Sequence, residues 1–122
     1  RQRLIQKKVR AMLRRVEMED RGKALPPSLS GGEQQRVAVA RAVVGDPKII
    51  LADEPTGSLD SAAAETIFGL LRHFNQRGAT VIVATHDREL IKASHDRVIY
   101  LEGGRLQSVT ELGAMKRHAA RL

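Results

Sequence analysis

Three separated stretches of the chain hold residue types that can handle a phosphate. The first is Leu29-Ser30-Gly31-Gly32-Glu33-Gln34-Gln35-Arg36. Ser30 is placed to cap a helix while Glu33, three residues on, reaches back to the cap residue, a reciprocal capping box. Gly31 and Gly32 leave the backbone N–H groups at that helix start uncovered, so an anion can approach them. The second stretch begins thirteen residues after Arg36, where the apolar run Ile49-Ile50-Leu51-Ala52 ends on Asp53-Glu54-Pro55. Two adjacent acids can divide the labour of phosphoryl chemistry, one holding Mg²⁺ and the other orienting or deprotonating water. The third is His86, which follows a second apolar run.

Those residues need elements to position them. Ile5, Val9, Met12, Leu13 and Val16 recur at helical spacing, which predicts an amphipathic helix over residues 2–18. A connector with Gly22, Pro26 and Pro27 follows, and then a helix over residues 32–44 stopped by Gly45 and Pro47. Residues 48–52 and 80–84 are β-branched and almost continuously apolar, the pattern of parallel strands buried on both faces. Between them Ile67, Leu70, Leu71 and Phe74 mark one face of a helix over residues 61–76, ended by Gly78. The unit is a βαβ crossover. A short helix over residues 88–93 precedes strands at 97–101 and 105–109, joined through Gly103-Gly104 as a tight hairpin. A last helix is expected over residues 110–120.

Ligands of an open parallel sheet bind beyond the carboxyl ends of its strands. Asp53 and Glu54 leave one strand at that edge and His86 leaves the next. Alone, the Asp53-Glu54-Pro55 tripeptide also reads as a solvated turn, His86 as a helix-start or core histidine, and Asp60 as the N-cap of the helix that follows. Arg36 and Arg41 read as members of a solvated helix face, and His73, His95 and His118 as surface residues.

At 122 residues the chain supports one modest core. With no cysteine there is neither a disulfide framework nor a thiolate metal site. No apolar run approaches the roughly 20 residues that span a bilayer, and the first residues lack the pattern of a signal peptide. The net charge of +7 is concentrated: residues 1–23 hold nine Lys/Arg against three Asp/Glu, or +6. A basic helix of this kind suits a phosphate backbone, an anionic membrane surface or simply water. The three aromatics, Phe68, Phe74 and Tyr100, do not interleave with arginines, which argues against a nucleic-acid partner.

The order of motifs resembles the nucleotide-binding domain of ATP-binding-cassette (ABC) ATPases. Residues 29–36 match the family's signature sequence, residues 49–54 its Walker B strand, Ser58-Leu59-Asp60 its D-loop and His86 its switch histidine. Residues 51–60 are similar to the branch that holds the cell-division ATPase FtsE and the lipoprotein-release and macrolide-export ATPases, and residues 74–80 with 84–87 lean toward FtsE. The resemblance implies an α/β, P-loop NTPase-like fold of which residues 1–122 are the C-terminal part. Within it, residues 1–47 would be the helical and signature region, 48–109 the core from Walker B through the switch histidine and hairpin, and 110–122 the terminal helix.

For chemistry the resemblance implies ATP and Mg²⁺ as cofactors, Asp53 on the Mg²⁺ side, Glu54 as general base and His86 on the γ-phosphate. Ser30, Gly31 and Gly32 would cap the γ-phosphate of ATP held by a second ABC ATPase subunit, and Asp60 would help shape that partner's site. Implied partners are thus a second copy and an integral membrane permease-like (FtsX-like) subunit, with the protein peripheral on the cytoplasmic face of the inner membrane. A lipoprotein-release or macrolide-export role, or a non-catalytic piece that donates only the signature loop, are the alternatives.

No Gly-x-x-x-x-Gly-Lys-[Ser/Thr] phosphate loop occurs; the one Gly-Lys pair, Gly22-Lys23, is followed by Ala24. The chain reads as a piece of a larger protein, expected to bind ATP poorly and hydrolyse almost none unaided. Its two apolar strands are expected to keep uncovered edges and faces and to self-associate.

Overall fold

A computed structural model describes residues 1–110 of the chain. Of the helix expected over residues 110–120, Thr110 instead ends a strand, and the remainder, with His118, lies outside the described residues. The chain divides into two compact units, Arg1–Thr85 and the segment from His86 onward.

In the first unit, α1 (Gln2–Arg15) leads to α2 (Gly31–Val43), β1 (Ile49–Asp53), α3 (Ser61–Gln76) and β2 (Thr80–Ala84). The strands pair in parallel, Ile49 opposite Thr80 through Asp53 opposite Ala84. One core gathers Val16, Met18, Ala40, Val43, Ile50, Ile67, Leu70, Leu71, Phe74 and Ala79. The heptad-like apolar spacing of α3 is what delivers Ile67, Leu70, Leu71 and Phe74 to it together.

Helix ends show why these elements stop where they do. After α1, Glu17 takes a left-handed φ of 58°. Its N–H donates to Arg14 O at 3.1 Å and that of Met18 to Leu13 O at 2.7 Å, the paired bonds of a Schellman motif. The helix therefore ends at Arg15 and not at residue 18, and the turn drives Met18 into the core. At the end of α3, Gly78 (φ 103°) plays the same part and Ala79 N–H reaches Phe74 O at 3.0 Å. The expected stop at Gly45 is corrected: Asp46, with φ 53°, carries the left-handed turn after α2, a conformation that a short polar side chain tolerates.

The two strands are not buried on both faces. Ile50 is buried and Val81 and Val83 pack against the core, but Ile49, Leu51 and Ile82 are 63%, 75% and 55% exposed. All the covering elements of this unit lie on one side of the two-stranded sheet, so alternate side chains stand uncovered. The apolar stripe of α1 is likewise covered only at its C-terminal end. Met12, Leu13 and Val16 pack into the core, whereas Ile5 and Val9 remain exposed.

The second unit holds α4 (Arg88–Ala93), β3 (Val98–Glu102) and β4 (Arg105–Thr110). The strands form an antiparallel hairpin with a register shift between Tyr100 and Leu101. Gly103 (φ 55°) and Gly104 (φ 73°) both take positive φ, the requirement of a two-residue type I′ turn.

Candidate nucleotide site

The first turn of α2 is closed by the capping box that its residue types require. Glu33 N–H donates to Ser30 Oγ at 3.1 Å, and Ser30 N–H donates to Glu33 Oε1 at 3.0 Å. The Ser30 backbone N–H holds the Glu33 carboxyl below its ordinary value, with help from the Ser30 hydroxyl, Arg21 and Arg36 and against a smaller desolvation effect. A helix provides no acceptor for its first N–H groups, which leaves those of Gly31 and Gly32 at the open end of α2. A side chain at Gly31 would meet nothing within 4 Å, so that approach is clear.

Two glutamines that sequence reasoning passed over fix this turn in place. Gln34 Nε2 donates to Pro26 O at 3.0 Å and to Leu29 O at 3.3 Å, pinning the connector ahead of the helix. Gln35 Nε2 donates to Pro55 O at 2.8 Å and so ties α2 to the turn after β1. Gly32 completes the junction. A Cβ there would lie 3.3 Å from Leu59 Cδ2 and 3.6 Å from Ser58 O, so its lack of a side chain lets residues 58–59 pack against the helix start. Their signal in the sequence is the position of each on the first two turns of α2.

Asp53 ends β1 with an exposed carboxylate. Glu54 prolongs the ladder, its N–H donating to Ala84 O at 2.8 Å, and then turns with φ 45°. A left-handed φ at a non-glycine residue is held only by surrounding structure and is enriched at functional sites. Here the holding contacts are visible. Thr85 Oγ1 donates to Glu54 Oε2 at 3.1 Å, Gly57 N–H donates to Glu54 O at 3.2 Å, and Pro55 is buried. Thr85, immediately before His86, was not singled out by sequence reasoning.

Asp60 is an N-cap as expected, accepting from Ala63 N–H at 2.8 Å. The first unit thus brings Gly32 beside residues 58–59 and links the start of α2 through Gln35 to the turn following Asp53 and Glu54. His86 is exposed and opens the second unit, where Asp87 caps α4 through Glu89 and Leu90 N–H at 3.1 and 3.2 Å. Arg41 is solvated, but the expectation for Arg36 is corrected. Its side chain is only 19% exposed, with Nη1 3.4 Å from Val16 O and 3.9 Å from Glu17 Oε2. It bridges α2 to the turn after α1, because the Schellman turn presents the Val16 carbonyl there. His95 is exposed, while His73 is half-buried with its ring edge-on to Phe74 at 5.8 Å.

The sequence model of the ABC transporter family matches residues 2–57. The chain is 50% identical over 102 residues to the cell division ATP-binding protein FtsE of Escherichia coli, across 84% of this chain and 46% of that protein. This chain belongs to the ABC transporter ATP-binding domain family. It is also 50% identical over 96 residues to the macrolide export ATP-binding/permease protein MacB of Rhodospirillum rubrum, across 79% of this chain and 15% of that protein. Among solved structures, it is similar to a dimeric ATP-binding cassette in a post-hydrolysis state bound to ADP and Pi. The TM-score is 0.77 at 42% identity, over 87% of this chain and 46% of that one. The chain spans about half the length of the FtsE relatives it matches. Its fold is accordingly an α/β ABC cassette in part.

Proposed function

We propose that this chain is the C-terminal part of an ATPase subunit that dimerises around ATP and drives a membrane partner, FtsE-like in cell division. The observation that carries this reading is Glu54, turned out of the strand at φ 45° with its carboxylate held by Thr85. A carboxylate so oriented at the end of a parallel strand suits a general base for an attacking water.

The donor set fits the proposed cofactors. Among the described residues no group of three or more His, Asp or Glu could hold a metal by itself. Mg²⁺ in phosphate sites takes one or two protein carboxylates and completes its shell with phosphate oxygens and water, so Asp53 suffices as the protein's share. Mg²⁺ would neutralise charge developing on the phosphates. Glu54 would orient water and accept its proton, and His86 would donate a hydrogen bond to the γ-phosphate. Ser30 and the N–H groups of Gly31 and Gly32 would serve ATP held by a second subunit, which the dimeric state of the similar cassette supports. Asp60, while capping α3, would face that neighbour. No described helix is long and apolar enough to cross a membrane; the proposed partner is a separate permease-like (FtsX-like) subunit, with this protein on the cytoplasmic face of the inner membrane. The similarity to MacB favours macrolide export as the second reading.

Replacing Glu54 by Gln in a full-length cassette tests the reading. ATP affinity should change by less than about 3-fold while turnover falls by about 100-fold or more. Unchanged turnover would remove Glu54 as the base.

A further inference from the structure

The basic face of α1 plays no part in the nucleotide chemistry. Over Gln2–Arg15 the helix carries six Lys/Arg and no Asp or Glu. Arg3, Lys7, Arg10 and Arg14 line one shallow concavity along it. Their spacing puts them on the side opposite Met12 and Val16, which face the core. The row is about 16 Å long at 1.5 Å per residue. Glu19 answers only its C-terminal end, paired with Arg14 at 2.7 Å and within reach of the Arg10 charge. Lys8 is engaged by Asp46 at 3.4 Å. Leu4, 62% exposed, and exposed Ala11 border the row.

From this charge complementarity we infer that the Arg3–Lys7–Arg10 face of α1 is a docking surface for an anionic phospholipid bilayer. Lys and Arg near a lipid surface attract anionic headgroups through short-range, salt-screened contacts. An apolar side chain beside them gains from the headgroup–acyl boundary and gains little from a nucleic-acid backbone. No aromatic side chain lies on α1 to stack on a base. The inference is independent of the nucleotide reading, since none of its residues belongs to that site.

The test is flotation of the 122-residue chain with vesicles of phosphatidylcholine alone or with 30 mol% phosphatidylglycerol. Binding should be at least about 10-fold tighter to the anionic vesicles and should fall as salt is raised. The triple variant Arg3→Glu, Lys7→Glu, Arg10→Glu should lose about 100-fold with an unchanged circular dichroism spectrum. A control of equal charge change on other exposed residues, Lys23→Glu, Arg72→Glu, Arg77→Glu, should lose far less. Equal binding to both vesicle types by the wild-type chain overturns the inference whatever the variants do. So does equal loss in both triple variants, or displacement from anionic vesicles by equimolar duplex DNA.

Discussion

Gln35 Nε2 donates to the carbonyl of Pro55 across 2.8 Å, joining the helix that starts at Gly31 to the turn that follows Glu54. The bond is partly buried, and its acceptor belongs to a buried proline. Gln35→Ala leaves that carbonyl without its side-chain donor and should cost about 1–2 kcal/mol, a drop of several degrees in Tm for a chain of this size. Gln35→Glu places a carboxylate against the carbonyl and should cost at least as much. Thermal unfolding of the two variants checks this; a Tm within a degree of wild type in both would show that the bond is idle.

The acid-side behaviour of the capping box follows from Glu33. Its carboxyl is held below the ordinary value chiefly by the Ser30 N–H. A depressed value in the folded state means that the stabilisation is complete above the unfolded-state value, near 4.3–4.5, and is lost as pH falls through the folded one. NMR titration of the Glu33 side chain should therefore show a midpoint below that of a model glutamate, with the Ser30 amide shift moving in parallel. A midpoint at or above the model value contradicts the cap as drawn.

Much of this was legible in the sequence, for identifiable reasons. Ser30 with Glu33, Asp60 ahead of Ala63, and Gly103-Gly104 are local motifs whose geometry depends on neighbours a few residues away. Strand β2 and helix α3 fall where their periodicity puts them. The failures are tertiary. Arg36 is drawn inward by a carbonyl twenty residues earlier, and Glu17, a poor residue for a left-handed turn, is held there because Met18 is wanted in the core. The uncovered faces expected of β1 and β2 are there, but apolar content alone could not say which face would be covered, since residues buried on either face look alike in one dimension. Glu54's positive φ had no local signal at all, as it arises from Ala84, Thr85 and the turn to Gly57.

The uncovered sheet face has a consequence for solution behaviour. Ile49, Leu51 and Ile82 present adjacent apolar side chains on a two-stranded sheet, a surface prone to pairing with another chain. The 122-residue chain should be oligomeric by light scattering. The exposed-face variant Leu51→Lys, Ile82→Lys should shift it toward monomer while costing little stability, because neither side chain is in the core. Oligomers of undiminished size in the variant would move the contact elsewhere.

In the proposed function one chain carries halves of two nucleotide sites, with Glu54 serving its own subunit's ATP and Ser30 that of its neighbour. Heterodimers of full-length cassettes measure this directly through ATP turnover, using Ser30→Arg to block the signature turn and Glu54→Gln to remove the base. With the two substitutions on opposite subunits, both defects fall in one composite site and the other stays whole, so about half of wild-type turnover should remain, in the absence of strong coupling between sites. With both substitutions on the same subunit, each site carries one defect and turnover should be nearly abolished. The reverse pattern, activity surviving only when both lie on one subunit, would show that Ser30 and Glu54 act on the same nucleotide and would contradict the account.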